Sequence, residues 1–326
     1  MAAGDVYTFL TPLLARVEER IDKSLCSGID LLDRTNRSLR DNPGKMLRPK
    51  LSLLVAGACG QVNDDSIRFA AAAELLHNST LLHDDVVDGA SQRRGLPTVA
   101  SLLGAQASVL IGDYWLVKCL ENLLDAERFV NRVISIFSST LSSLAEGEML
   151  QMQKASSGDT SEGDYLRIVY SKTASLFEAA ALSAAISVNA PEEWTKAAGE
   201  YAKSLGIAFQ IKDDILDYSP EVGEIGKPVG IDLKEQKITQ PLLCALDEVS
   251  PEEEAAIRKK ITLISDNPAF QDEVLAFVME HDGMGKAKLV MDSYINRAVS
   301  CLDVLPDGPR KGDLARLAEF VGDRNK

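Results

Sequence analysis

Two stretches of this chain repeat one spacing of aspartates. Asp84, Asp85 and Asp88 close the apolar run Leu81-Leu82-His83, and Asp213, Asp214 and Asp217 follow Phe209-Gln210-Ile211-Lys212. Unpaired carboxylates beside an apolar core are costly, so each cluster needs a counter-charge. In a helix, positions i and i+4 share a face. Asp84 and Asp88 then point together, with Asp85 about 100° round, and His77 falls on the Asp84 stripe. Gln210, Asp213, Asp214 and Asp217 are also spaced for one helix face. Hard oxygen donors on a rigid helix suit Mg²⁺, which keeps several waters and shares itself with phosphate oxygens. A lone DDxxD is usually a solvated helix end. The second copy predicts two acid clusters facing each other across a cavity.

The candidate phosphate ligands are basic. Lys45 and Arg48 flank a helix mouth, where backbone N–H groups also favour an anion. Arg93 and Arg94 are adjacent, and guanidinium forks match phosphate oxygens. Lys172, next to Thr173, sits among apolar residues, where a lysine either snorkels or meets an anion. Lys227 and Lys237 follow the second triad. Each alone reads as an ordinary surface base. Together they fit a large anion with several phosphate charges, bridged to carboxylates by a metal that neutralises a leaving group. There is no GxxxxGK[ST] loop, no kinase glycine-rich loop, no zinc spacing among the three histidines and no Ser-His-Asp signature. Nucleotide-driven phosphoryl transfer is therefore disfavoured, and ionisation of a carbon–diphosphate bond is the sharper reading.

The elements that must position these residues read as helices. Apolar spacing predicts Val6 to Cys26, Asp30 to Leu39, and Pro49 to Cys59 with Pro49 at its first position. Asn63 to Ser66 caps the helix bearing the first triad; it breaks at Gly89, and Gly89 to Thr98 is a predicted loop. Further helices are expected at Ser101 to Ile111, Asp113 to Leu124, Ala126 to Gln153, Asp164 to Val188, the run from Lys196 into the second triad, and four segments beyond Pro251. A loop over Gly223 to Gly230 carries Lys227. No segment alternates with period two for long. The expected architecture is all-α, a single large helical-bundle domain spanning 1–326 around a central cavity.

With 326 residues, 45% hydrophobic and 26% charged, the chain can bury a sizeable core. A net charge of −14 argues against general nucleic-acid binding. It does not argue against an anionic substrate, because local bases and a metal can reverse the sign in one cleft. The five scattered cysteines form no CxxC and read as reduced thiols of a cytoplasmic protein. Met1 to Leu10 does not read as a signal peptide, and no apolar run is long enough to span a bilayer.

The ordered motifs carry a resemblance. Gly44-Lys45-x-x-Arg48-Pro49, His77, Leu81-Leu82-His83-Asp84-Asp85-x-x-Asp88, Arg93-Arg94-Gly95-x-Pro97-Thr98, Gly112-Asp113, Glu146-Gly147-Glu148, Tyr170-Ser171-Lys172-Thr173, Phe209-Gln210 with Asp213-Asp214-x-x-Asp217, Gly226-Lys227 and Lys237 span nearly the whole chain. The sequence resembles the trans-type isoprenyl diphosphate synthases, or polyprenyl synthetase family, nearest to the medium- and long-chain octaprenyl type. The resemblance implies an isoprenoid-synthase helical fold and a prenyltransferase that condenses isopentenyl diphosphate with an allylic diphosphate. It also implies a cytoplasmic homodimer that delivers its product to membranes, and about three Mg²⁺ ions per site, Mn²⁺ being an alternative.

Residue by residue, it implies metal ligands Asp84, Asp88 and Asp213, with Asp85 and Asp214 in the catalytic set and, like Asp217, acting indirectly or through water. Arg93, Lys172, Thr173, Gln210, Lys227 and Lys237 would surround the allylic phosphates, with Arg93 and Lys172 catalytic. Lys45, Arg48, His77 and Arg94 would hold isopentenyl diphosphate. Two departures stand out. Met46-Leu47 replaces a more usual basic-plus-aliphatic pair, and Lys212 precedes the second triad where an apolar residue is common.

Product length follows from the helix below Asp84. Ser79, Thr80 and Leu76, then Ala70 to Ala73, place no aromatic near the first triad. The depth to Ala73 is about 16 Å at 1.5 Å per residue, which predicts a product of roughly four or more isoprene units, with six to ten favoured. Phe137, Tyr114 and Trp115 are candidate floors. Three alternatives remain: a shorter-chain (geranylgeranyl or farnesyl) synthase, a terpene cyclase, and a non-catalytic partner subunit. Lys45, Arg48 and Arg94 argue against a cyclase, which needs no second diphosphate site. Two intact triads argue against a silent subunit.

Overall fold

A computed structural model describes residues 4–41, 44–219 and 229–323. The chain is helical almost throughout and divides into two compact units. One comprises Met1–Ser138, Ala179–Gly199 and Val304–Leu314, and the other Ser139–Glu178, Glu200–Asp303 and Ala315–Lys326.

In the first unit the helices are α1 (Gly4–Ser24), α2 (Asp30–Arg40), α3 (Leu47–Cys59), α4 (Asp64–Val87), α5 (Val99–Leu103), α6 (Ala105–Leu124) and the start of α7 (Val130–Ser157). The centre is α4, which packs on α1, α3 and α6. Phe69, Ala70, Ala71, Ala72, Ala73, Leu75 and Leu76 are all fully buried along it. The alanine run has no polar atom to satisfy and lets neighbouring helices come close. A capping box fixes its start: Asn63 accepts from the Ser66 backbone N–H, and Ser66 returns the bond. Asn63 Nδ2 also donates to the Ser187 carbonyl at 2.8 Å.

Three local predictions are corrected here. Helix α3 starts at Leu47, after Met46 in the left-handed region (φ 50°). Pro49 is therefore the third helical residue, still within the first turn where its missing N–H costs nothing. The break expected near Ile111 falls at Gly104 (φ 88°) instead, and α6 runs straight through Gly112. Gly112 is a packing glycine, because a Cβ there would lie 2.3 Å from His83 Nε2. The stretch taken as loop contains a hairpin, β1 (Gln92–Arg93) with β2 (Leu96–Pro97), antiparallel. Its two linking residues, Arg94 (φ 54°) and Gly95 (φ 77°), both have positive φ, as a twist-matched two-residue turn requires.

The second unit holds the rest of α7, then α8 (Glu162–Val169), a π-helical turn (Tyr170–Ala174) and the start of α9 (Ser175–Ser187), where one unbroken α-helix is expected from sequence. It continues with α10 (Glu192–Asp217), α11 (Ile231–Lys234), α12 (Gln240–Leu246), α13 (Pro251–Thr262), α14 (Ala269–Glu280), α15 (Gly283–Cys301) and α16 (Pro309–Asp323), of which α10 and α16 span both residue sets. Every residue of α12 is buried, packed on α14 and α15. Two glycines admit the π turn. A Cβ on Gly147 would meet Ser171 Cβ at 2.6 Å, and one on Gly206 would meet Ala174 Cα at 2.6 Å. Among the described residues, no helix is long and apolar enough to cross a membrane.

Candidate active site

The first triad sits at the C-terminal end of α4, and its three acids have separate surroundings. Asp84 is half-buried, Asp88 is the exposed C-cap residue, and Asp85 is only 4% exposed. Asp85 Oδ1 accepts from Arg93 Nε at 2.7 Å. The hairpin then sends the adjacent arginines to different partners. Arg93 turns back onto α4, while the Arg94 guanidinium lies over Gly44, where a Cβ would sit 2.5 Å from it. Gly44 (φ 71°) is thus required both by its backbone and by this close approach.

Arg94 brings the predicted isopentenyl group together. His77 lies close enough to Arg48, Arg94 and Arg93 that burial first, and then these three charges, hold its pKa well below the usual value. The imidazole is neutral at pH 7 and able to donate one hydrogen bond. Arg48 is buried on α3, and Lys45 is exposed just ahead of it. Met46, at the position that departs from the family pattern, is buried and plugs the start of α3. Sequence reasoning missed Glu74. It is 3% exposed, burial raises its pKa, and Arg48, Asn78, Arg94 and Arg40 oppose that rise. Its signal was a lone acid within an alanine–leucine run, one turn before His77.

The chain-length candidates face different neighbours. Leu76 and Ser79 are buried, with Ser79 Oγ donating to the Gly112 carbonyl at 2.8 Å, so Ser79 lies against α6. Thr80 Oγ1 donates to the His77 carbonyl. Phe137 and Trp115 are buried, and Trp115 Nε1 donates to Asn36.

In the second unit, a cavity of about 130 Å³ is lined by Lys172, Thr173, Gln210, Asp214 and Lys237, all named from sequence, and by Asp232, Tyr165, Gln151 and Lys154, which were not. The π turn aims Lys172 and Thr173 into this wall, and π turns recur at functional sites because they re-aim side chains. Lys172 Nζ meets Glu148 Oε1 at 2.7 Å and donates to Gln151 Oε1 at 3.0 Å. Asp214 is 2% exposed; burial raises its pKa to about 6, against the bonds donated by Gln210 and Tyr165. Asp213 is half-buried beside it. Asp217 accepts from the backbone N–H groups of Ile231 (3.1 Å) and Asp232 (3.0 Å), which caps α11. Asp232 is held well above its usual pKa by burial and then by Asp214 and Asp217. Lys237 pairs with Glu235. Lys227 lies outside the described residues.

The comparisons with known proteins agree with this geometry. Residues 29–278 match the family described as polyprenyl synthetase. The chain belongs to the polyprenyl synthetase family. It is similar to an octaprenyl diphosphate synthase of Haemophilus influenzae, 36% identical over 325 residues that cover 100% of this chain and 98% of the relative. Among solved structures it is similar to a decaprenyl diphosphate synthase from Rhodobacter capsulatus, with a TM-score of 0.91 and 34% identity over 99% of each chain. A second is a polyprenyl synthase from Caulobacter crescentus, solved with calcium and isoprenyl diphosphate. Its TM-score is 0.90 and its identity 29%, covering 100% of this chain and 98% of the other. The fold class and the prenyltransferase reading made from the motifs are borne out.

For a family of metal-assisted enzymes, the donor set has the right chemistry. Among the described residues no three of His, Cys, Asp and Glu gather into a ready-made metal group. In the first unit Asp84 and Asp88, and in the second Asp213, carry hard oxygen donors in the last turns of their helices, a donor chemistry that suits Mg²⁺ completed by water rather than a closed protein cage.

Proposed function

We propose that this polyprenyl synthetase acts as one domain over residues 1–326. It would condense isopentenyl diphosphate with an allylic diphosphate primer to give a medium- or long-chain all-trans polyprenyl diphosphate. The observation that carries this reading is the gathering of Arg48 and Arg94 around a neutral His77, two turns before Asp84. A cyclase would have no use for that second anion subsite. Lys45, at its mouth, completes a group suited to the diphosphate of the isopentenyl substrate.

Asp84, Asp88 and Asp213 would hold Mg²⁺, which supplies positive charge against the departing pyrophosphate when bound. Lys172, Thr173, Gln210, Lys227 and Lys237 bind the same phosphates, and Arg93, held by Asp85, adds a guanidinium. These residues stabilise the leaving group as the carbon–oxygen bond breaks and an allylic cation forms. The double bond of isopentenyl diphosphate attacks that cation, and the released pyrophosphate takes the proton that is lost. Exclusion of water protects the cation. This chain's likeness to octaprenyl and decaprenyl diphosphate synthases supports a long product, as does the lack of an aromatic at Ser79 and Thr80. The chain works in the cytoplasm as a homodimer and passes its product to a lipid phase.

The test is incubation with farnesyl diphosphate, isopentenyl diphosphate and Mg²⁺, followed by product sizing. The expected product is longer than farnesyl, and Asp84→Ala should lower turnover roughly 10²- to 10³-fold. Products no longer than farnesyl, or turnover without isopentenyl diphosphate, would overturn the reading.

A further inference from the structure

We propose that Tyr165 is a positioning residue for the allylic diphosphate, acting through a chain of three hydrogen bonds that starts in the core. This rests on the reading that the wall of Lys172, Thr173 and Gln210 receives that diphosphate. Tyr165, on α8, is 3% exposed, and its hydroxyl donates to Asp214 Oδ2 at 2.6 Å. The other carboxylate oxygen, Asp214 Oδ1, accepts from Gln210 Nε2 at 2.9 Å. Gln210 Oε1 in turn accepts from Thr173 Oγ1 at 2.8 Å.

Each link fixes the next. An ionised carboxylate only accepts, so Asp214 forces the Gln210 amide to present its NH₂ toward it. The carbonyl oxygen must then face Thr173, which sets the hydroxyl rotor and the rotamer of a residue carried on the π turn. The amide nitrogen of Gln210 keeps a second hydrogen for an anion. Tyr165 thus determines which way Gln210 and Thr173 point before substrate arrives. The two acids of the second triad differ accordingly. Asp214, with a donor on each oxygen, orients the wall, and Asp213 carries the metal-binding role proposed above. A buried phenol–carboxylate pair is also a costly one to leave half-made.

The test is steady-state kinetics of Tyr165→Phe, which removes one oxygen atom and keeps the ring. The expected result is a rise of about tenfold in KM for the allylic diphosphate, with KM for isopentenyl diphosphate unchanged. In a cycle with Thr173→Val, the two effects should be strongly non-additive, because one acts through the other. Unchanged kinetics, an equal rise in both KM values, or additive effects in the cycle would each overturn the proposal. If Tyr165→Phe unfolds at the assay temperature, its kinetics are measured beside wild type at a lower temperature where circular dichroism shows both folded. The same selective rise is expected, and its absence overturns the proposal. A wild-type protein with no prenyl transfer at all would instead overturn the function on which the proposal rests.

Discussion

At the scale of single residues, the six aspartates have distinct neighbours. Asp85 is committed to Arg93, Asp214 to Tyr165 and Gln210, and Asp217 to the start of α11. Asp85→Asn should therefore act mainly through Arg93. We expect a loss of about 2 kcal/mol in unfolding free energy, with slower turnover, measured by urea denaturation and steady-state rates. His77 gives a pH prediction. Its folded pKa is depressed, so between that value and about 6.5 the unfolded chain binds more protons, and stability rises with pH. Acidification from pH 7 toward 5 should lower the urea midpoint, and His77→Gln should flatten that decline. The charged groups around it are Arg48, Arg94 and Arg93. Glu74, its pKa raised, favours the fold as pH falls, so only the wild-type-minus-variant difference isolates His77. The acid spacing was legible in sequence because a helix fixes which positions share a side. The Tyr165 partnership was not, because Asp214 lies on another helix and no local pattern marks it; Glu74 is bonded by Asn78 on its own helix, but the arginines facing it come from α2, α3 and the hairpin.

At the scale of elements, the π turn is the feature with the greatest leverage on the site. It is pressed between Gly147 and Gly206, and the clash at Gly206 is with backbone, which cannot swing aside. Gly206→Ala should cost about 3 kcal/mol and remove most activity, read by thermal melts and turnover. Gly147→Ala meets the Ser171 side chain and should shift Lys172 away from Glu148, so its activity loss should exceed its stability loss. Most helices were legible from apolar periodicity, including α4 and α10. The π turn was invisible, since it inserts a residue without altering composition. The hairpin was read as loop because its strands are only two residues each, too short for alternation to show.

At the scale of the whole molecule, assembly is the open variable. The α5–α6 segment exposes Leu102, Leu103, Val109, Leu110, Val117 and Leu124, an apolar strip on a chain whose net charge is −14. A strip of this kind marks an interaction surface, and the homodimer proposed above would cover it. Leu110→Glu should convert a sedimenting dimer to monomer in analytical ultracentrifugation. Dimerisation could not be read from sequence, because the same leucines would serve equally well as core.

That strip has a mechanical link to the chemistry. The ring of His83, directly before Asp84, nests against the bare backbone of Gly112 and reaches Asp113 at 3.3 Å, both on α6. Ser79 Oγ, donating to the Gly112 carbonyl at 2.8 Å, and Ser108 Oγ, donating to the Leu82 carbonyl at 2.8 Å, tie the same seam. In the homodimer proposed above, a shift of α6 would carry directly to the tip of α4, gearing subunit pairing to the stance of the first aspartate.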